Sequence, residues 1–156
     1  MKHIESGKLN LLKQVAAGIA AQFGSDCEVV VHDLSRPPDH SIVAIVNGHV
    51  SGREVGSTMD IMGIGLELDE QAATTDQVNL AATTPDGRQT KSSTFHMIGE
   101  DYNLALGINF DYTSLVFANR ILVDLMSAQS DLHPGKAGGR ANQEGPGAHY
   151  RHAGAA

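Results

Sequence analysis

The feature that most constrains the fold of this chain is residues 27–53, CEVVVHDLSRPPDHSIVAIVNGHVSGR. This segment holds two runs rich in β-branched residues, at 29–31 and 42–46, with Pro37-Pro38-Asp39 between them. β-Branched residues favour extended backbone, and prolines followed by Asp are a turn signal. We therefore predict two strands, near 27–34 and 41–47. Each run leads into polar residues that a purely apolar core would not place there, His32-Asp33 after the first and Asn47-Gly48-His49 after the second.

The residues before these strands have the periodicity of a helix. Leu12, Val15, Ile19 and Phe23 recur at spacings of three and four, which is typical of an amphipathic helix packed through one side. Gly24 follows and is a favourable residue to end a helix. We predict a helix over residues 7–23.

Glycines and turn residues divide the rest of the body. Gly63 and Gly65 interrupt the apolar run 55–71. This favours short helical turns over one long helix, because each interior glycine costs about 1 kcal/mol relative to Ala. Pro85-Asp86-Gly87 and Gly99-Glu100-Asp101 are turn signals between extended runs. We predict an antiparallel meander with strands over 78–84, 88–98 and 104–110, then a final helix marked by Leu115, Ala118, Leu122 and Leu125.

The order of these elements predicts the architecture. A helix, two strands, short helices, three strands and a helix form an α+β fold, a five-stranded antiparallel sheet with flanking helices. We expect one domain over residues 1–126. Residues 127–156 are rich in Gly and Ala and have few large apolar side chains, so we expect a disordered tail that cannot offset its ordering entropy.

Charge and cysteine content exclude several classes of protein. The net charge of the 156 residues is −7, and the tail carries three basic and two acidic residues, so the net charge of the body is −8. A body with this charge is poorly suited to bind DNA. The single cysteine excludes an internal disulfide and fits a reducing compartment.

No run approaches the ~20 apolar residues of a membrane span. We expect a cytoplasmic protein that does not contact a membrane.

Three ordered motifs carry a family resemblance: HDLSRPPDHSIVAIVNGHVSGREVG, GRQTKSSTFHMI and LALGINFDYT. The chain resembles the YheO-like PAS domains of bacterial, DauR-like transcriptional regulators over residues 9–128. The resemblance implies a PAS fold, which agrees with the sheet predicted from the pattern. It also implies a sensory or dimerisation module without enzymatic activity.

The chain departs from this family at its C-terminal end. Members usually continue into a helix-turn-helix that binds DNA, whereas here the sequence reads HPGKAGGRANQEGPGAHYRHAGAA, without that periodicity. We expect no DNA recognition by this polypeptide itself. One hypothesis is an out-of-frame reading of a GC-rich gene, and a downstream frame that encodes no helix-turn-helix would contradict it.

Two catalytic or metal hypotheses arise from the polar residues. Zinc sites show close pairs such as HxxxH or CxxC; the body has none, and His149 and His152 form a pair only in the tail. His32-Asp33 and Ser92-Ser93-Thr94 suggest a hydrolytic triad, but a nucleophile usually lies on a sharp turn and this serine pair lies mid-strand. GxGxxG is also absent. We predict no metal, no cofactor and no enzymatic activity.

Polar residues within or beside the apolar strands are the candidate ligand groups, since small-molecule pockets are mostly apolar with a few placed polar groups. Asn109 interrupts an apolar run and must find a partner if it is buried; a ligand and a backbone group both remain open. Asp111 and Thr113 are also candidates to cap the final helix. The candidate ligand-binding residues are His32, Asp33, Ser41, Asn47, Ser93, Asn109 and Asp111.

The final helix has more apolar surface than the stripe of ~100° that one packed face needs. Phe117, Ile121 and Met126 lie beyond its core-facing stripe and predict a homodimer interface. We therefore predict a sensory and dimerisation PAS domain of a YheO/DauR-like regulator that binds a small effector. The alternative is an interaction-only, truncated module that dimerises without a ligand, and a histidine-based metal protein or enzyme ranks after both.

Overall fold

The computed structural model describes residues 7–57, 75–84 and 86–128. The predicted helical turns of 55–71 and the predicted tail, 127–156, lie almost wholly outside these residues. Short 3₁₀ turns cover Pro38–His40 and Gly48–Val50. The main elements are α1 (Gly7–Phe23), β1 (Cys27–Asp33), β2 (Ile42–Val46), β3 (Gln77–Thr83), β4 (Gln89–Gly99), β5 (Tyr102–Asp111) and α2 (Thr113–Met126).

The five strands form one sheet in the order β2-β1-β5-β4-β3. Each neighbouring pair is antiparallel. The predicted α+β class is therefore confirmed, including the meander of the last three strands. Strand ends differ from the prediction by one or two residues; β5 begins at Tyr102 because the tight turn pairs it with Gly99.

Helix α1 covers one face of the sheet, here called the outer face. Its buried residues are Leu9, Leu12, Ala16 and Ala20, and they form a core with Val29, Val31, Leu104 and Leu106. Val15 and Phe23, which the periodicity placed on the packed side, are exposed. That part of the prediction was wrong because the two alanines form the contact side, where small side chains let the helix lie close to the sheet. The helix ends as predicted, since Gly24 has a φ of +84° and its N–H donates to the carbonyl of Ala20 at 2.9 Å.

Helix α2 does not pack in the same way. Every residue over 114–126 is exposed. The prediction of a core-facing stripe on this helix was therefore wrong. Within the described residues that stripe does not face a core, and one of its members, Leu125, is 78% exposed. The stripe consists of Leu115, Ala118, Leu122 and Leu125. The helix leaves the end of β5 and is attached through its first turn.

Candidate ligand-binding face

The face of the sheet opposite α1, here called the inner face, carries three rows of side chains across β1, β5 and β4. Side chains alternate between the faces of a strand, so cross-strand partners share a face. The register gives the rows Glu28–Asn109–Ser92, Val30–Gly107–Thr94 and His32–Ala105–His96. A Cβ atom at Gly107 would lie 2.6 Å from Cγ1 of Val30, so glycine there makes room for the valine.

Glu28 is the centre of the first row, and its side chain is fully buried. Its Oε1 accepts hydrogen bonds from Arg53 Nη2 and Asn109 Nδ2, both at 2.8 Å. Its Oε2 accepts from the backbone N–H of Ser51 at 3.1 Å and from the Ser51 hydroxyl at 2.6 Å. Ser92 adds a bond from its hydroxyl to Asn109 Oδ1 at 2.7 Å. The carboxylate therefore accepts from four donors, one of which belongs to a buried cation, as a buried charge requires.

Three of these donors belong to Ser51 and Arg53, in the loop after β2 that closes over the sheet. The carbonyl of Gly48 accepts from the backbone N–H groups of Gly52 and Arg53, at 2.8 and 3.1 Å. A Cβ at Gly48 would collide with the backbone oxygen of Arg53. Glycine at this position therefore allows the tight loop that brings Ser51 and Arg53 onto Glu28.

His32 lies in the third row and is buried. Its Nδ1 is 2.9 Å from the hydroxyl of Ser41, which is also buried. Burial, and then the charge of Arg53, lower the pKa of His32 to about 4. The imidazole is therefore neutral at pH 7, and it is held in place by Ser41.

His96, at the other end of this row, has an imidazole that is only 3% exposed. Among the described residues, neither of its ring nitrogens has a hydrogen-bond partner. Asp76 Oδ1 lies 3.5 Å from Nδ1, outside hydrogen-bond geometry, and the same oxygen accepts from the backbone N–H of His96 at 2.6 Å. A buried and unsatisfied imidazole is unusual, because such groups cost free energy.

The structure places the candidate ligand residues in different parts of the fold. His32, Ser41 and Asn109 lie on the inner face and are buried. The partners of Asn109 are the side chains of Glu28 and Ser92, so neither a backbone group nor a ligand is needed to satisfy it. Ser93 points to the outer face, where its hydroxyl accepts from the backbone N–H of Asn79.

The remaining three candidates hold turns. Asp33 accepts from the backbone and hydroxyl of Ser35 and from Arg36. Burial alone would raise the pKa of Asp33, but these hydrogen bonds outweigh it and hold the pKa below its ordinary value. Asn47 has a φ of 57° and donates to the carbonyls of Gly24 and Cys27, at 3.1 and 2.8 Å.

Asp111 fixes the start of α2. Its Oδ1 accepts from the backbone N–H and the hydroxyl of Thr113, and Arg88 lies 3.4 Å from its Oδ2. Burial would raise the pKa of Asp111, but the bonds from Thr113 and the charge of Arg88 lower it below its ordinary value. Residue 112 holds the N-cap position, so Asp111 supports the helix start from one residue earlier.

Sequence reasoning missed Glu28 as the centre of the inner face. The signal that was available is the alternation of side chains along a strand. Residues 28, 30 and 32 share one face of an extended strand, so Glu28 shares a face with His32. Nothing in the pattern identified Arg53 as its partner, because that contact depends on how the loop closes.

These contacts do not bring His32, Asp33 and the serines of β4 together as a hydrolytic triad. His32 bonds to Ser41, Asp33 holds the 33–36 turn, and Ser92 is bonded to Asn109. Within residues 7–57, 75–84 and 86–128, no three His, Cys, Asp or Glu side chains come together as a metal-binding group. In the same residues, no helix is long and apolar enough to cross a membrane.

Comparison with known proteins gives a match to a protein family. The family model of the YheO-like PAS domain matches residues 2–127. An uncharacterized protein of Haemophilus influenzae is 43% identical over 49 residues, which are 31% of this chain and 22% of that protein. A solved chain described as "Structure of an RNA-binding Light-Oxygen-Voltage Receptor" is similar with a TM-score of 0.41 and 15% identity, over 80% of this chain and 39% of that one. The chain thus spans well under half of the length of both proteins.

Proposed function

The chain belongs to the YheO-like PAS domain family, and from that premise we propose that it is the sensory and dimerisation domain of a DauR-like transcriptional regulator. It binds a small effector on the inner face of its sheet and passes the signal to α2. The domain acts in the cytoplasm and has no catalytic step. The lone Cys27 fits this role, since burial, and then the charge of Glu28, raise the pKa of its thiol and keep it unreactive.

The observation that carries the proposal is the connection between the inner face and α2. β5 contributes Asn109 to the Glu28 network and ends at Asp111, which holds the first turn of α2 through Thr113. The hydroxyl of Thr113 also accepts from the backbone N–H of Gln89 in β4, at 2.8 Å. A change in β4 or β5 on effector binding would therefore reorient the helix.

The exposed surface of α2 supports dimerisation. Phe117 is 61% exposed, and Ile121 and Met126 are exposed as well. Single exposed apolar residues are ordinary, but an apolar patch along a whole helix indicates an interface. The partner proposed for it is a second copy of the chain, because a two-fold pair of identical helices is the commonest closed assembly.

Sedimentation tests the dimer directly. We expect a dimer at micromolar concentration, and a folded monomer after Ile121→Lys, because a charge would be buried at the interface. Asn119→Lys places the same charge elsewhere on the helix and is the matched control. A monomeric wild-type protein would contradict the proposal.

Thermal shift against a panel of small metabolites tests the sensory part. A specific effector stabilises the folded state by mass action and should change the sedimentation of the dimer or the protease sensitivity of α2. No stabilising metabolite, together with an unchanged dimer, would favour the second candidate.

That second candidate is an interaction-only module that dimerises without sensing. The observation in its favour is the Glu28 network, in which protein groups satisfy the carboxylate completely. Calorimetry with the same metabolites separates the two candidates.

DNA binding is not part of the proposed activity of this polypeptide. The charge of −8 on the body supports this, because DNA binding depends on neutralising phosphates with basic residues. A sequence-selective shift of DNA by the chain as written would contradict it.

A further inference from the structure

We infer that His96 is the recognition residue of the effector site, and that the effector presents to it an uncharged group with both a hydrogen-bond donor and an acceptor, such as a carboxamide or a lactam. This inference rests on the proposed sensory function and adds the residue and the chemistry of the ligand.

The first step is the unsatisfied imidazole. The side chain of His96 is 97% buried, since only 3% of it is exposed, and neither ring nitrogen has a partner among the described residues. A neutral imidazole has one N–H donor and one acceptor nitrogen. A ligand that satisfies both must therefore offer an acceptor and a donor together.

The second step is the position of this imidazole. His96 and His32 both flank Ala105, on the two neighbours of β5. Ala105 is buried and is the smallest side chain of this row, and the proposed ligand group lies over it, between the two imidazoles. The Nδ1 of His32 is already engaged by Ser41, which fixes one wall of the site, so of these two described imidazoles His96 is the one without a hydrogen-bond partner.

The third step is charge. The buried cation and anion on this face, Arg53 and Glu28, neutralise each other at 2.8 Å. His32 is neutral at pH 7 because burial lowers its pKa to about 4. Asp76, whose carboxylate lies 3.5 Å from His96, is 53% exposed, so a buried charged ligand group would lose its hydration without a buried counter-charge among these described residues, which is costly. An uncharged polar group avoids that cost.

A metal ion is the alternative ligand for two histidines in one row. Resident zinc sites use three or four protein ligands, and the described residues contain no group of three suitable side chains. The observations therefore favour an organic group, and metal binding becomes an outcome of the test.

The test compares three probes of the same shape on the full chain: benzamide, benzoate and benzamidine, which are neutral, negative and positive. Nitrogen NMR of histidine-labelled protein reports on the imidazoles, and the signals lost in His96→Leu assign His96. We expect benzamide to shift the His96 nitrogens, with both charged probes weaker by at least about tenfold.

The variants separate a recognition role from a structural one. His96→Leu should lose benzamide binding by at least about tenfold without a lower melting temperature, whereas loss of a structural residue would lower it. His96→Gln keeps a donor and an acceptor and should retain part of the binding. His49→Leu removes an exposed histidine and should behave as the wild type.

Several outcomes would overturn the inference. Equal or tighter binding of a charged probe contradicts the ligand chemistry, and zinc shifting His32 and His96 together at micromolar concentration indicates a metal site instead. A metabolite that stabilises wild type and His96→Leu equally overturns the role of His96 and leaves the sensory function standing. No response to benzamide and to every metabolite would overturn both proposals.

Discussion

Two polar centres lie two rows apart on the same three strands, and they differ in how their hydrogen bonds are satisfied. Glu28 is fully buried, and both of its oxygens accept two hydrogen bonds each. His96 is buried nearly as deeply, but neither of its nitrogens has a partner in the described chain. Burial alone therefore does not tell a structural polar residue from a binding one. The balance of donors and acceptors is what separates these two centres, because folding rarely leaves a buried group unpaired.

The Glu28 centre also explains how the inner face is held together. Its donors come from β5 and from the loop that follows β2, and the loop reaches it through the tight approach of Gly48 to Arg53. One carboxylate therefore ties β1, β5 and the loop into a single unit. Within the described residues, no hydrogen bond joins the His96 imidazole to another element.

The largest expected effect is that of Glu28→Ala. Removing the carboxylate leaves Arg53, which is 8% exposed in its side chain, without its buried counter-charge. Breaking one partner of a buried ion pair costs about 3–5 kcal/mol in the free energy of unfolding. Urea denaturation measures it, and Glu54→Ala, an exposed glutamate in the same loop, is the control with little change. A loss below about 1 kcal/mol would show that the network does not hold the fold.

The second prediction concerns pH and His32. The folded-state pKa of about 4 lies below the unfolded value of 6.5, so the unfolded state binds more protons between these values. Stability is full above pH 6.5 and falls as the pH drops towards 4, by about 3 kcal/mol in total. Urea titrations from pH 7.5 to 4 measure the slope. His32→Asn, which keeps a group beside Ser41 but does not titrate, should lose most of it; an equal slope in both proteins would contradict the assignment.

The third prediction uses two neighbouring serines on opposite faces. Ser92→Ala removes the donor to Asn109 Oδ1 inside the network and should cost about 1–2 kcal/mol, since a buried acceptor is left unpaired. Ser93→Ala removes only an acceptor for the backbone of Asn79, in an exposed bond, and should cost less than about 0.5 kcal/mol. Equal effects in chemical denaturation would mean that the buried bond of Ser92 contributes no more than the exposed bond of Ser93.

The same serines illustrate what the sequence could and could not predict. Alternating and periodic apolar residues predicted all seven main elements, an antiparallel sheet and the helix end at Gly24, because these depend on local pattern. The ligand set included Ser93 instead of Ser92, because a shift of one residue in a strand changes its face and the register was unknown. Asn109 was recognised as needing a partner, but the partner, Glu28, comes from 81 residues away.

The two helices mark the other limit of the sequence. Both have wide apolar surfaces, so periodicity alone predicted a packed stripe on each. α1 packs through alanines that the pattern of large residues overlooked, while α2 keeps Leu115 and Leu122 exposed. Which helix meets the sheet depends on where β5 ends and how Asp111 holds the next turn, and that geometry is not local.

The smallest expected effect has the opposite sign and separates the two centres most directly. His96→Leu replaces a buried, unpaired imidazole with an apolar side chain of similar reach, so the ligand-free protein should gain about 1 kcal/mol in the free energy of unfolding. Residues kept for binding are often poor for stability, and such a gain is the expected signature. Urea denaturation without ligand measures it, and His49→Leu, which changes an exposed histidine, should leave the midpoint unchanged. A loss of 1 kcal/mol or more would mean that His96 makes a stabilising contact, and the contrast with Glu28 would then fail.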